Sequence, residues 1–181
     1  CSCGLPLLVR YRINQVAQNW NKSTLPDRPP NMWRYQEMMP LMDDGDPVTL
    51  GEGFTPLLHA TSLGRSLGLS ALYVKDESLN PTNSFKARGL SAAVTRARAL
   101  NAHTLSVPSA GNAANAMAAY AAQAGLPAKV FMPKDVKKPF IRECELYGAD
   151  VTLVDGLITD AGRLAAKVGD PMGWYDVSTL K

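Results

Sequence analysis

A lysine stands where a helix should least welcome one. In "NPTNSFKARG", Asn80 to Gly89, a proline among small polar residues ends one element and Phe85-Lys86 opens the next. The spacing predicts a helix from Ser84 to about Leu100, with the Ser84 hydroxyl as N-cap acceptor. On its wheel Leu90, Ala93, Ala97 and Leu100 form an apolar stripe, and Lys86 extends that stripe toward the N-terminus. Arg88, Ser91, Thr95 and Arg98 form a second, polar face, expected to be wet. An inward direction and the positive end of the helix dipole both disfavour an ammonium, which is the condition a Schiff-base or general-base lysine needs. The alternative is a lysine that runs past Phe85 to solvent without a chemical role. Pattern alone leaves both readings open.

A second constellation follows the apolar run "TLSVP". In "SAGNAANAMAAYAAQAG", Ser109 to Gly125, small residues join a strand to a helix and leave backbone N–H groups accessible at the helix start. Asn112 adds an amide able to donate to a phenolate or carboxylate. The plainer reading is a Ser109 cap and alanines that allow close packing of helix on sheet.

These residues must be positioned by the elements around them. The first half of the chain is irregular, with turn-rich "STLPDRPPN" and "MMPLMDDGDP" around a short helix in "MWRYQEMM". "LGEGFTPLL" reads as a loop opening into a short segment, "TSLGRSLGL" as a brief helix, and "ALYVKDE" as a strand. The second half is regular. Apolar runs begin at Thr104, Ala128, Asp150 and Gly173, spaced by about 23 residues, with helical patterns between them. Gly125, Gly148 and Gly169 are placed to close those helices in the left-handed conformation, and Pro139 to open one. Stripes at Phe140, Cys144, Tyr147 and at Ile158, Ala161, Ala165, Val168 face the core. This alternation predicts an α/β fold: a parallel sheet with helices on both faces, built from βαβ units over residues about 100–181.

Composition narrows the function classes. The chain has 181 residues, 46% hydrophobic and 19% charged, with net charge +3, too small to argue for nucleic acid or a membrane surface. No apolar run approaches the roughly 18 residues of a spanning helix. Three cysteines make no disulfide framework, so the expectation is a reduced, cytoplasmic protein. Cys1 and Cys3 supply too few ligands for a zinc site, and no metal is expected. Cys144 is expected in the core, and "KDVKK", Lys134 to Lys138, as a solvated loop and helix start.

Three ordered motifs, "GEGFTPL", "NPTNSFKARG" and "SAGNAANAMAAYAAQAG", together resemble the pyridoxal-phosphate enzymes of the tryptophan synthase β-subunit fold, and look most like the threonine synthases. The likeness continues through "MPKDVKKPFIRECELYGADVTLVDG". It implies that Lys86 forms the Schiff base with pyridoxal 5'-phosphate and that Phe85 adjoins the cofactor. It further implies that Ser109, Ala110, Gly111, Asn112 and Ala113 grip the substrate carboxylate, that Asn112 also bonds the cofactor's O3′, and that Ser84 contacts a phosphate. The implied reaction converts O-phosphohomoserine, a phosphorylated amino acid, and water into threonine and phosphate. The implied organisation is residues 1–85 as the N-terminal portion of a larger cofactor-binding domain, then residues 86–181 as the lysine helix and a smaller substrate-binding domain. The rest of the larger domain, with the glycine-rich cradle for the cofactor phosphate, is expected outside this stretch. Relatives are commonly dimers, which leaves room for a homodimer. One departure bears on substrate: Ala87 follows the lysine where threonine synthases carry aspartate, a pattern nearer to amino-acid dehydratases. Threonine or diaminopropionate dehydratase and cysteate synthase therefore stand as alternatives, as does a non-catalytic fragment.

Overall fold

Side chains that alternate along each short strand sort into two cores, one on either face of a parallel sheet. The computed structural model describes residues 10–41 and 45–178. Its helices are α1 (Ile13–Asn19), α2 (Thr61–Ser66), α3 (Lys86–Ala99), α4 (Asn112–Ala124), α5 (Lys138–Leu146) and α6 (Ile158–Gly169). Its strands are β1 (Leu57–His59), β2 (Tyr73–Lys75), β3 (Leu105–Pro108), β4 (Ala128–Pro133), β5 (Asp150–Val154) and β6 (Tyr175–Asp176). The expected short helix in "MWRYQEMM" is a 3-10 helix, Met32–Met38.

The main sheet has the order β5-β4-β3-β6, with every neighbour parallel, as the βαβ spacing predicts. Leu105, Val107, Val130 and Met132 turn to one face, where they meet α3, α4 and Cys144 of α5. Phe131 turns to the other face and packs with Ala161 and Ala165 of α6 and with Trp174. This is the period-two alternation of a strand buried on both sides. Each large apolar side chain sealed this way contributes about 1.5–3 kcal/mol. β1 and β2 form a separate antiparallel pair, Leu58 opposite Val74.

The helix ends follow the sequence with one exception. Gly125 and Gly148 are left-handed, at φ +68° and +81°. Gly169, expected to be the same, is instead the last helical residue of α6, and a Cβ there would lie 3.1 Å from Trp174 Cε3. Close approach of the indole, rather than chain reversal, selects glycine at this position. The ends of two apolar stripes also differ from expectation: Ile158, Val168 and Tyr147 are exposed, while Ala161, Ala165 and Cys144 between them are buried.

Candidate active site

The turn before Lys86 is built unlike the predicted cap. Thr82 and Asn83 are consecutive left-handed residues, at φ 57° and 52°. They swing Ser84 into an extended conformation, and Phe85 occupies the N-cap position without a side-chain cap. The Ser84 hydroxyl therefore does not cap α3: it is buried and has no hydrogen-bond partner, as is the Thr82 hydroxyl. The first turn is closed by backbone alone, with the Ala87 N–H donating to Ser84 O at 3.3 Å and the Arg88 N–H to Phe85 O at 3.1 Å.

Lys86 is half-buried, its Nζ 4.9 Å from the centroid of the exposed Phe85 ring. Its side chain walls a cavity of about 350 Å³ with Phe85, Arg88, Gly89, Leu90, Ala93 and Val177. Lys86 thus stands at the edge of a partly apolar hollow, over the exposed Phe85 ring. Ala87, its neighbour, is fully buried in the first core and takes no part in that wall.

Ser109 to Gly111 connect β3 to α4. The Ser109 N–H donates to Phe131 O at 3.1 Å, seating the turn on the sheet. Gly111 lies against the Phe140 ring, and a Cβ there would stand 3.8 Å from Cε1. Asn112 is exposed at the first position of α4, Ala113 is half-buried behind it, and no side chain caps this helix. An uncapped helix start with accessible N–H groups can receive an anion. The Ser109–Ala113 turn is not in the wall of the Lys86 cavity. The two are linked through packing, since α3 and the Pro81–Asn83 turn both rest on α4.

Topology places both groups at one edge. The order β5-β4-β3-β6 reverses at β3, and the crevice beyond the carboxyl ends of strands at such a reversal is where parallel α/β sheets bind ligands. Ser109 follows the carboxyl end of β3. Val177, in the wall of the Lys86 cavity, follows that of the adjacent β6, and its N–H donates to Ser106 O at 3.0 Å.

Two polar networks hold the frame, and both were missed as such in the sequence. In the first, the Arg88 guanidinium donates twice to Glu77, at 2.6 and 2.9 Å. The Thr55 hydroxyl and the Asn80 amide also donate to Glu77, and Asn80 accepts from the Gly53 N–H. The Arg88 bonds, opposed by desolvation and aided by Thr55 and Asn80, hold the Glu77 carboxyl down at about 2. In the second, Glu52 of "GEGFTPL" is fully buried. Its Oε1 accepts from Trp33 Nε1 at 2.8 Å, Ser91 Oγ at 2.6 Å and Thr49 Oγ1 at 3.0 Å. Its Oε2 accepts from the Tyr120 hydroxyl at 2.5 Å and the Leu50 N–H at 3.0 Å. Burial pushes this carboxyl up, but the bonds from Ser91, Tyr120 and the backbone outweigh it, and the group stays below the usual carboxylate range. Tyr120 is pushed up, by burial first and by Glu52 second.

Ser91 and Thr95, expected on a wet face, are therefore buried. Ser91 joins Glu52, and Thr95 Oγ1 accepts from the Val48 N–H at 2.9 Å. A sequence signal existed: these two residues are small hydroxyls, whereas the flanking Arg88 and Arg98 are charged. Cys144 is sealed as expected, its thiol pushed up to about 12 by burial and by Glu143 and Glu145. Among the described residues no cluster of His, Cys, Asp and Glu could hold a metal ion, and Cys1 and Cys3 lie outside them. Lys134, Lys137 and Lys138 are exposed, in keeping with a solvated loop.

The residues at this edge fit a phosphorylated aromatic aldehyde. A primary amine stands at a partly apolar hollow, and the turn before it in sequence holds two buried hydroxyls without partners, at Thr82 and Ser84. Unpaired buried donors are costly unless something meets them.

The fold and site define an α/β protein with a lysine at the carboxyl edge of a parallel sheet. Residues 48–181 match the model of the family described as pyridoxal-phosphate dependent enzymes, and the chain belongs to that family. It is 37% identical over 162 residues to the threonine synthase of Methanocaldococcus jannaschii, covering 89% of this chain and 40% of that protein. It is 38% identical over 163 residues to the threonine synthase of Methanosarcina acetivorans, covering 89% and 39%. The chain thus spans about two fifths of the length of these curated relatives. Among solved structures, the apo form of Escherichia coli diaminopropionate ammonia lyase superposes with a TM-score of 0.67 at 21% identity, covering 77% of this chain and 48% of that one, a likeness of fold. No helix among the described residues is long and apolar enough to cross a membrane.

Proposed function

We propose that this chain carries the catalytic lysine of a cytoplasmic biosynthetic lyase that converts O-phosphohomoserine and water into threonine and phosphate. The observation that carries the reading is Lys86 at a cavity beyond the carboxyl end of β6, beside the strand that feeds the Ser109–Ala113 turn. Relatives named threonine synthase supply the choice of substrate. In this reading residues 1–85 belong to a larger cofactor-binding domain and 86–181 to the lysine helix and substrate-binding domain.

The Lys86 amine would hold the cofactor and, when free, would move protons at the substrate's Cα and Cβ. Phe85 forms the floor beneath that amine. The backbone N–H groups of Ser109 to Ala113 would hold the substrate carboxylate, and the Asn112 amide would donate to the cofactor's phenolic oxygen. The Ser84 hydroxyl, buried without a partner in the turn before Lys86, would be the donor offered to a phosphate. Pyridoxal phosphate supplies the electron sink that makes the Cα proton removable.

The departure at Ala87 keeps a dehydratase as the alternative reading; position 87 itself is buried in the core and is not in the lining of the Lys86 cavity. Borohydride reduction of the protein at its full natural length, loaded with cofactor, should label Lys86 on peptide mapping; label elsewhere refutes the site. Phosphate released from O-phosphohomoserine supports the reaction, and 2-ketobutyrate from L-threonine would instead assign a dehydratase.

A further inference from the structure

The two helices that carry the site pack with many small side chains between them. α4 buries Ala114, Ala116, Ala118, Ala119 and Ala121 around the larger Met117 and Tyr120, and α3 buries Ala87, Leu90, Val94 and Ala97 in the same core. Small side chains allow close approach but interdigitate weakly, so packing alone sets the offset between such helices poorly. Yet the site needs that offset fixed, because Lys86 begins one helix and Asn112 the other.

We infer that Glu52 is the positioning residue for this pair, a carboxylate clamp that fixes α3 against α4 and thereby the lysine amine against the asparagine turn. The inference rests on the site reading given above. One oxygen of Glu52 accepts from Ser91, little more than a turn beyond Lys86 on α3, and the other from Tyr120, about two turns beyond Asn112 on α4. Trp33 and the Leu50 N–H brace the same carboxylate from the N-terminal segment. Val48 hooks α3 a second time through Thr95. Among the described residues no salt bridge contacts Glu52; the Arg88 guanidinium acts on it at longer range, and its direct partners are donors from both helices and the N-terminal segment. A hydrogen bond to a charged acceptor is directional and fixes register, which apolar contact does not. Glu52 touches neither substrate nor cofactor in this arrangement. It acts through the helices.

The test uses the protein at its full natural length, loaded with pyridoxal phosphate, with Ser91→Ala, Tyr120→Phe and the double variant. Tyr120→Phe cuts one arm alone, while Ser91→Ala also removes the contacts of that hydroxyl with Val48 O and Trp33 Nε1; both keep the apolar volume, so folding should survive. Reduction should still label Lys86 in all three. The pH midpoint of the absorbance of the lysine-bound cofactor should move in each, because the Asn112 donor shifts relative to the chromophore. The turnover number should fall about 10- to 100-fold, the effect of roughly 1 Å of misplacement, with a smaller change in KM. The double variant should be little worse than the worse single, since either cut frees the offset. A lower unfolding temperature with an unmoved absorbance midpoint and turnover would overturn the inference and leave Glu52 a structural residue only. Additive losses in the double variant would overturn it as well. An unlabelled Lys86 in the parent would instead refute the site reading, and the inference would fall with it.

Discussion

Lys86 and Ala87 are neighbours with opposite surroundings, one at a cavity wall and one in the core, and the difference comes from their place on the first turn of α3. The clash of the lysine's type with its position in the helix marked it as a candidate, and only the three ordered motifs together chose the Schiff-base reading over an inert lysine. The Ser84 hydroxyl was not legible: an N-cap is inferred from residue type, whereas Ser84 is displaced by left-handed backbone at Thr82 and Asn83, which neither residue type announces. Ser84→Ala should accordingly leave unfolding stability unchanged or raised, because it removes a buried unpaired oxygen, whereas loss of a true cap costs about 1 kcal/mol. In the same protein cofactor retention on dialysis should weaken. Glu77 gives a pH prediction. Its folded-state value, about 2, lies below the ordinary 4.5, so its contribution is present in full above 4.5 and is lost as pH falls toward 2. Glu77→Gln should flatten the stability curve in that window and cost about 1–2 kcal/mol at neutral pH, with Arg88 a third exposed and partly screened. Denaturant titrations across pH would show it.

At the scale of elements the regular half of the chain was readable nearly strand by strand, because period two and period 3.6 alternate cleanly there. The polar side of α3 was misread for a definite reason: the wheel shows which residues share a face but not what packs on it, and Trp33 and Glu52 come from remote segments. Two glycines separate dihedral need from spatial need. Gly125→Asn should cost only a few tenths of a kcal/mol, since asparagine tolerates the left-handed region. Gly169→Asn should cost about 1–3 kcal/mol by driving a side chain into Trp174. Thermal unfolding of the pair distinguishes the two causes.

For the whole molecule, one probe reads the cooperativity of the assembly. Cys144 is fully buried, with its thiol held at about 12, and it donates to Asn115 Oδ1 at 3.3 Å. Alkylation mapped to this residue should therefore proceed only at the rate of global opening and should be blocked under native conditions. Rapid native labelling would mean that α5 opens separately from the sheet. The sequence could not disclose how the irregular N-terminal segment joins this body, because the joint is made mainly by polar contacts at Val48, Glu52, Gly53 and Thr55 rather than by a hydrophobic stripe. An acid sealed among neutral donors is a shared possession: a change at residue 33, 91 or 120 alters what the other two must supply. Lineages of this protein should thus drift at those three positions and at 52 in concert, exchanging the whole set or none of it.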